Sequence, residues 1–193
     1  MGNRINSKSD LKDWIKYEKN KYENVSLLFR LFNIGEGAIL YKHQVILRKA
    51  EFYHNTNKKL MEYFYRIRLY RIQNKYSLHI PINTCGRGLK IMHIGPILIN
   101  GRAMLGTDCS LHINSAVVAK GSSDEVPFIG NGVVIGVGAV IVGGISVANN
   151  VAIGANSVVT KSINEENVAV AGIPARKVSN SGSLRWGNDK PEK

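Results

Sequence analysis

From Ile99 to Val159 an aliphatic residue returns at every sixth position with one break: Ile99, Leu105, Leu111, Val117, Ser123, Ile129, Ile135, Ile141, Val147, Ile153, Val159. An amphipathic helix repeats every 3.6 residues and a bare strand every 2, so a period of six requires an equivalent corner every six residues. Three such faces make one coil. A second stripe, four residues after each aliphatic, is mostly small or β-branched: Ala103, Cys109, Ser115, Gly121, Val133, Ala139, Val151, Ser157. Such side chains suit the narrow interior of a prism. Glycine follows the aliphatic at Gly106, Gly130, Gly136 and Gly154, where a tight bend is expected to exclude a side chain. Strands of unequal length joined by unequal turns, as in a sandwich, do not hold one phase over so long a stretch. The expected class is mainly β, a hexapeptide-repeat parallel β-helix.

Ahead of the repeats the pattern changes. Leu11 to Phe32, Ile39 to Tyr53 and Lys58 to Tyr76 read as helices, separated by Asn33-Ile34-Gly35-Glu36-Gly37 and Asn55-Thr56-Asn57. Residues 1–77 hold thirteen of the fifteen aromatics and three of the nineteen glycines, whereas 78–177 hold one aromatic and fourteen glycines. This divides the chain into a helical region, 1–77, a β-helix domain, 78–178, and a tail, 179–193, expected to be flexible.

The charge follows the same division. Residues 1–77 carry sixteen Lys and Arg against seven Asp and Glu, so +9 of the formal net +12 lies outside the repeats. The third helix places Leu60, Phe64 and Ile67 on one face, with Lys58, Lys59, Arg66, Arg68, Arg71 and Lys75 crowding the remainder and Glu62 opposing them. Two readings stand: a solvated basic face on a helix packed against the prism end or a sister subunit, or attraction to an anionic surface such as inner-leaflet lipid or a lipid-linked glycan. Nucleic acid is not expected, because the aromatics fall at helical core spacing and no recognition module is visible. A metal site is not expected either. Cys85 and Cys109 form no CxxC pair, and Cys109 lies on the small inward stripe. With neither a membrane-spanning run nor a signal-peptide pattern in the sequence, a cytoplasmic location is expected.

Three segments carry a family likeness: GLKIMHIGPILING at Gly88–Gly101, the coils from Val126 to Val159, and VAVAGIPARKV at Val168–Val178. About half the chain resembles bacterial hexapeptide acyltransferases of the serine-acetyltransferase-like branch, and in pattern it resembles their capsule and exopolysaccharide O-acetyltransferase relatives. The resemblance implies a left-handed parallel β-helix, a homotrimer and acetyl-CoA as co-substrate. The left hand comes from the resemblance alone, since the general rule for parallel crossovers gives the opposite.

The family's catalytic histidine maps to His93, and an imidazole is suited to take a hydroxyl proton near neutral pH. Extended backwards, the six-residue phase puts His93 at an inward position, though Gly95 and Pro96 can break that register. His112 follows inward Leu111, so by the same phase its side chain should face away from His93. The resemblance places acetyl-CoA against Val137, Gly138, Ala155, Ala171 and Gly172, in a groove between subunits, with Lys161, Arg176 and Lys177 as candidates for its phosphates. In serine acetyltransferases a second histidine precedes the proline entering the regular coils, and an acidic residue lies fifteen positions before the catalytic histidine. Here these positions are Val126 and Leu78. The expectation that follows is a saccharide hydroxyl as acceptor, with His93 as general base and direct transfer. The alternatives are serine O-acetylation in cysteine biosynthesis and a non-catalytic trimeric scaffold.

Overall fold

The computed structural model describes residues 4–22, 34–122 and 124–185. The repeats wind into a three-faced prism. The first face carries β1 (Leu78–His79), β3 (Ile97–Ile99), β6 (Ser115–Val118), β9 (Val140–Val142) and β12 (Val158–Val159). The second carries β4 (Met104–Leu105), β7 (Phe128–Ile129) and β10 (Ser146–Val147). The third carries β2 (Lys90–Ile91), β5 (Ser110–Leu111), β8 (Val134–Ile135), β11 (Ala152–Ile153) and β13 (Ala169–Gly172), and is closed by β14 (Ala175–Ser179). Pairing is parallel, coil upon coil, except for the antiparallel β13–β14 hairpin at the end.

The aliphatic stripe fills the prism. Ile99, Leu111, Val117, Ile129, Ile135, Ile141 and Ile153 are wholly buried, as are Cys109, Val133, Ala139, Val151 and Ser157 of the small stripe. Burying each large aliphatic contributes about 1.5–3 kcal/mol, so the stack of inward residues is the main source of stability in the prism. The Cys109 thiol donates to the Gly130 carbonyl at 3.2 Å, and burial pushes its pKa up to about 12.

Two details differ from the sequence expectation. The slot of Ser123, itself outside the described residues, falls in an excursion between β6 and β7. Ala116 pairs with Val140, 24 residues on, whereas Val140 pairs with Val158 after 18. The excursion uses one whole repeat, so the phase survives it. The second concerns the glycines after the aliphatics, which were expected to serve the bends. The left-handed corners instead fall three residues after the aliphatic, at Asp108, Asn114, Gly132, Gly138, Asn150 and Asn156. Gly136 is small for another reason: a Cβ there would lie 2.6 Å from the Ile153 carbonyl oxygen of the next coil.

The helical region is α1 (Lys8–Asn20), α2 (Glu36–Asn55) and α3 (Lys59–Tyr76). Ser7 and Asp10 form a capping box that starts α1. Residues 23–32 of the expected first helix lie outside the described residues. Arg48 of α2 ties this region to the first coil. Its guanidinium donates to Glu18 of α1, to Glu51 and to the carbonyls of Cys85 and Gly86, and it lies over the Trp14 ring. Burial alone would weaken its proton, but the two carboxylates reverse that and drive its pKa upward.

Helix α3 packs by the face opposite to the one expected from its apolar residues. Tyr65, Leu69, Ile72, Gln73 and Tyr76 face α2 and the prism, while Leu60, Phe64 and Ile67 are exposed. The tail begins in contact with the prism: the Ser183 hydroxyl donates to the Gly132 carbonyl and its N–H to that of Asn150. Residues 186–193 lie outside the described residues.

Candidate active site

The corner from the third face to the first is where the sequence-assigned residues gather. In regular coils this corner takes six residues from one inward aliphatic to the next, as from Ile135 to Ile141. From Ile91 to Ile99 it takes eight, because Ile91 pairs with Leu111 and Ile99 with Val117. Ile91 therefore occupies the inward slot, and the two extra residues lift His93 out of the wall. This corrects the inward position that simple phase assigned to it. The His93 side chain is 58% exposed.

The imidazole is held from outside the prism. Glu36, the first residue of α2, places Oε2 3.1 Å from His93 Nδ1, and its other oxygen accepts the Ile94 N–H. An ionised carboxylate only accepts, so this pairing puts the proton on Nδ1 and leaves the Nε2 lone pair free to act as a base. The chain turns into α2 at Gly35, whose φ of 85° suits a residue without a Cβ. Nothing in the residue pattern signals the pairing. By pattern Glu36 belongs to a separator between helices, and it stands 57 positions before His93.

His112 is nearer His93 than phase implied. The lengthened corner shifts the register by two, so Met92 donates its N–H to the Leu111 carbonyl and His112 follows beside it. Burial first, then the charges of His93 and Lys90, lower the His112 pKa. A low pKa keeps His112 neutral where a second cation would oppose protonation of its neighbour.

Below the histidines, the same edge carries Val137 and Gly138 after β8, Ala155 after β11, and Ala171 and Gly172 at the end of β13. Val137 and Ala155 are exposed. Gly172 donates its N–H to the Ser157 hydroxyl, and Ala171 pairs with Arg176 across the hairpin. Five small or short side chains thus form a column continuous with the His93 corner, terminated by a cation. Lys177 is less available, because it pairs with Glu165 at 2.5 Å. Lys161 is not brought to this edge: it follows β12 and stands at the corner from the first face to the second. A cavity of about 660 Å³ opens elsewhere, lined by residues including Ile5, Trp14, Cys85 and Leu105 and by none of the assigned residues. Among the described residues no group of three or more His, Cys, Asp or Glu could hold a metal ion.

A parallel β-helix with a histidine at a lengthened corner and a column of small residues below it has the architecture of the hexapeptide-repeat acyltransferases. In sequence the chain is similar to serine acetyltransferases. It is 32% identical over 147 residues to the serine acetyltransferase of Buchnera aphidicola, covering 74% of this chain and 52% of that protein. To the serine acetyltransferase of Salmonella typhimurium it is 35% identical over 127 residues, 62% of this chain and 44% of that one. The chain thus spans about half the length of the curated relatives it matches. In structure it matches serine acetyltransferase from Brucella abortus with a TM-score of 0.66 at 23% identity, covering 91% of this chain and 72% of that one. The soybean enzyme complexed with serine matches with a TM-score of 0.66 at 23% identity, over 87% and 69% of the two chains. The fold is accordingly the left-handed β-helix of these structures. No family model matches the chain.

These likenesses overturn the saccharide expectation and, with it, the closer likeness to capsule and exopolysaccharide enzymes. The relatives and structures matched here are serine acetyltransferases. The expectation rested on two polar groups missing from sequence positions Leu78 and Val126. Leu78 is a buried core residue and Val126 packs against the core. A carboxylate does reach the histidine, but it arrives from α2 through Glu36. Absence at a sequence position was not absence in space.

Proposed function

We propose that this chain is an acetyl-CoA-dependent serine O-acetyltransferase, of the kind that serves cysteine biosynthesis, acting as a homotrimer. The carrying observation is the Glu36–His93 pair, at an exposed corner of a fold shared with structures determined with serine and with coenzyme A bound. Acetyl-CoA supplies the acetyl group as a thioester. His93 Nε2 removes the serine hydroxyl proton as that oxygen attacks the thioester carbonyl carbon. Glu36 holds the ring by Nδ1 and balances the imidazolium that results. Collapse of the tetrahedral adduct breaks the carbon–sulfur bond, and His93 returns its proton to the departing sulfur. The products are O-acetylserine and CoA. A base so placed contributes about 10²- to 10⁴-fold in rate.

The column of Val137, Gly138, Ala155, Ala171 and Gly172 fits the pantetheine arm because short side chains allow close approach. Arg176, exposed at its end, is the proposed contact for the nucleotide phosphates. The test is product identification by mass spectrometry after incubation with acetyl-CoA and millimolar L-serine. O-acetylserine formed in step with CoA release supports the reading, and CoA release without it, or none at all, rejects it.

A further inference from the structure

Among the described residues, helix α3 presents an apolar stripe to the surface. Leu60 is 83% exposed, Tyr63 70%, Phe64 48%, Ile67 36% and Tyr70 52%. At helical spacing these five lie on one face, opposite the Tyr65–Leu69–Ile72–Tyr76 face that packs inward. Lys59 and Arg66 flank the stripe on one side, Arg68 and Lys75 on the other, and Arg71 continues it toward the C-terminus. The stripe also borders a groove of about 330 Å³ between α2 and α3, which has Ile39, Ile46, Ile72 and Tyr76 as apolar lining and Lys42, Arg68, Arg71 and Lys75 as its charged groups. Among the described residues no carboxylate lines the groove. The acid of α3, Glu62, is already engaged by His54, Lys59 and Arg66.

We propose that this face docks on an anionic phospholipid surface, with the stripe seated at the boundary between headgroups and acyl chains and the groove receiving a headgroup phosphate. Tyrosine and phenylalanine flanked by long cations suit that boundary, where rings bury and cationic heads reach phosphate. A second copy related by a two-fold axis is a poor occupant. A two-fold pairing of this face would set like charges against each other around the apolar centre. No described helix is long and apolar enough to cross a membrane, so the contact is peripheral. The proposal is independent of the acetyl acceptor, since α3 contributes none of the residues at the His93 corner.

The experiment is co-sedimentation of the full chain with phosphatidylglycerol-containing vesicles and with pure phosphatidylcholine vesicles, at about 0.01 M and 0.1 M salt, between which the screening length falls from roughly 30 to 10 Å. Three proteins are compared: the native chain, a stripe variant (Leu60→Ser, Phe64→Ser, Ile67→Ser) and a groove variant (Arg68→Gln, Arg71→Gln, Lys75→Gln). All six side chains are exposed, and the mass of each protein in solution is measured alongside. The native chain should bind the anionic vesicles, bind the neutral ones far less, and lose binding as salt rises. Each basic residue contributes about fivefold at an anionic surface, so the groove variant should bind roughly a hundredfold more weakly. The stripe variant should also lose binding, at unchanged mass. Absence of native binding to anionic vesicles at low salt overturns the proposal. So does a stripe variant that falls to a smaller assembly, which would make the occupant another copy of the chain.

Discussion

Replacing Arg48 by alanine should detach the helical region from the prism. The guanidinium is wholly buried and distributes its donors among Glu18, Glu51 and two backbone carbonyls. Its loss leaves both carboxylates without their cation at 1% and 2% exposure, and removes a donor from the Cys85 and Gly86 carbonyls. Breaking a buried charge pair by removing one partner costs about 3–5 kcal/mol, a large part of the roughly 5–15 kcal/mol that holds a typical domain. The same helix carries Glu36 to His93, so the damage should reach the site. Trp14, packed under the guanidinium, reports it directly. Urea unfolding followed by tryptophan fluorescence should show the unfolding free energy lowered by that amount, with acetyl transfer reduced in parallel. Protonation-mimicking partners should recover much of the loss, so Arg48→Met combined with Glu18→Gln and Glu51→Gln is expected to be more stable than Arg48→Ala alone. An Arg48→Ala protein within about 1 kcal/mol of the native chain would refute this reasoning, because an uncompensated buried pair of carboxylates cannot be that cheap.

Further outcomes follow from particular contacts. Gly136→Ala places a methyl group 2.6 Å from the Ile153 oxygen and 2.9 Å from backbone of the next corner, and should lower stability by about 1–3 kcal/mol in thermal unfolding. Glu36→Gln removes the negative charge beside His93 while keeping an oxygen for Nδ1–H; kcat should fall by about tenfold or more with the KM for acetyl-CoA unchanged in steady-state kinetics. His43 is buried with Nε2 3.2 Å from the Gln73 amide and Nδ1 without a hydrogen-bond partner among the described residues, and burial pushes its pKa down to about 3. The unfolded chain binds that proton below about pH 6.5, so stability present above this pH is lost as pH falls toward 3, at up to about 1.4 kcal/mol per unit. A His43→Leu variant should lack that slope when unfolding is measured across the same range.

The prism was legible because its period of six belongs to no other element, and the inward stripe landed where the pattern put it. The exceptions are local. The excursion at Ser123 is invisible to phase because it consumes a whole repeat, while the two added residues at His93 shift the phase only at the one corner that matters. Helix α3 shows the limit of amphipathic reading. Tyr65, Gln73 and Tyr76 pack inward beside Leu69 and Ile72, while Leu60, Phe64 and Ile67 face out, so the apolar face picked out by spacing marked a surface and not the core. Least legible was Glu36, whose role depends on how a helix start docks against a corner far along the chain. The acceptor was misread for the same reason, since a motif comparison at Leu78 and Val126 cannot register a carboxylate delivered from another element.

His93, oriented by Glu36, is proposed as the base that activates a serine hydroxyl. The most direct measurement is acetyl-CoA- and L-serine-dependent CoA release by the native chain and by His93→Ala, with folding and assembly checked in parallel. The native chain should turn over, and the variant should fall by at least about 10²-fold without loss of structure. Equal turnover by the two proteins would contradict it.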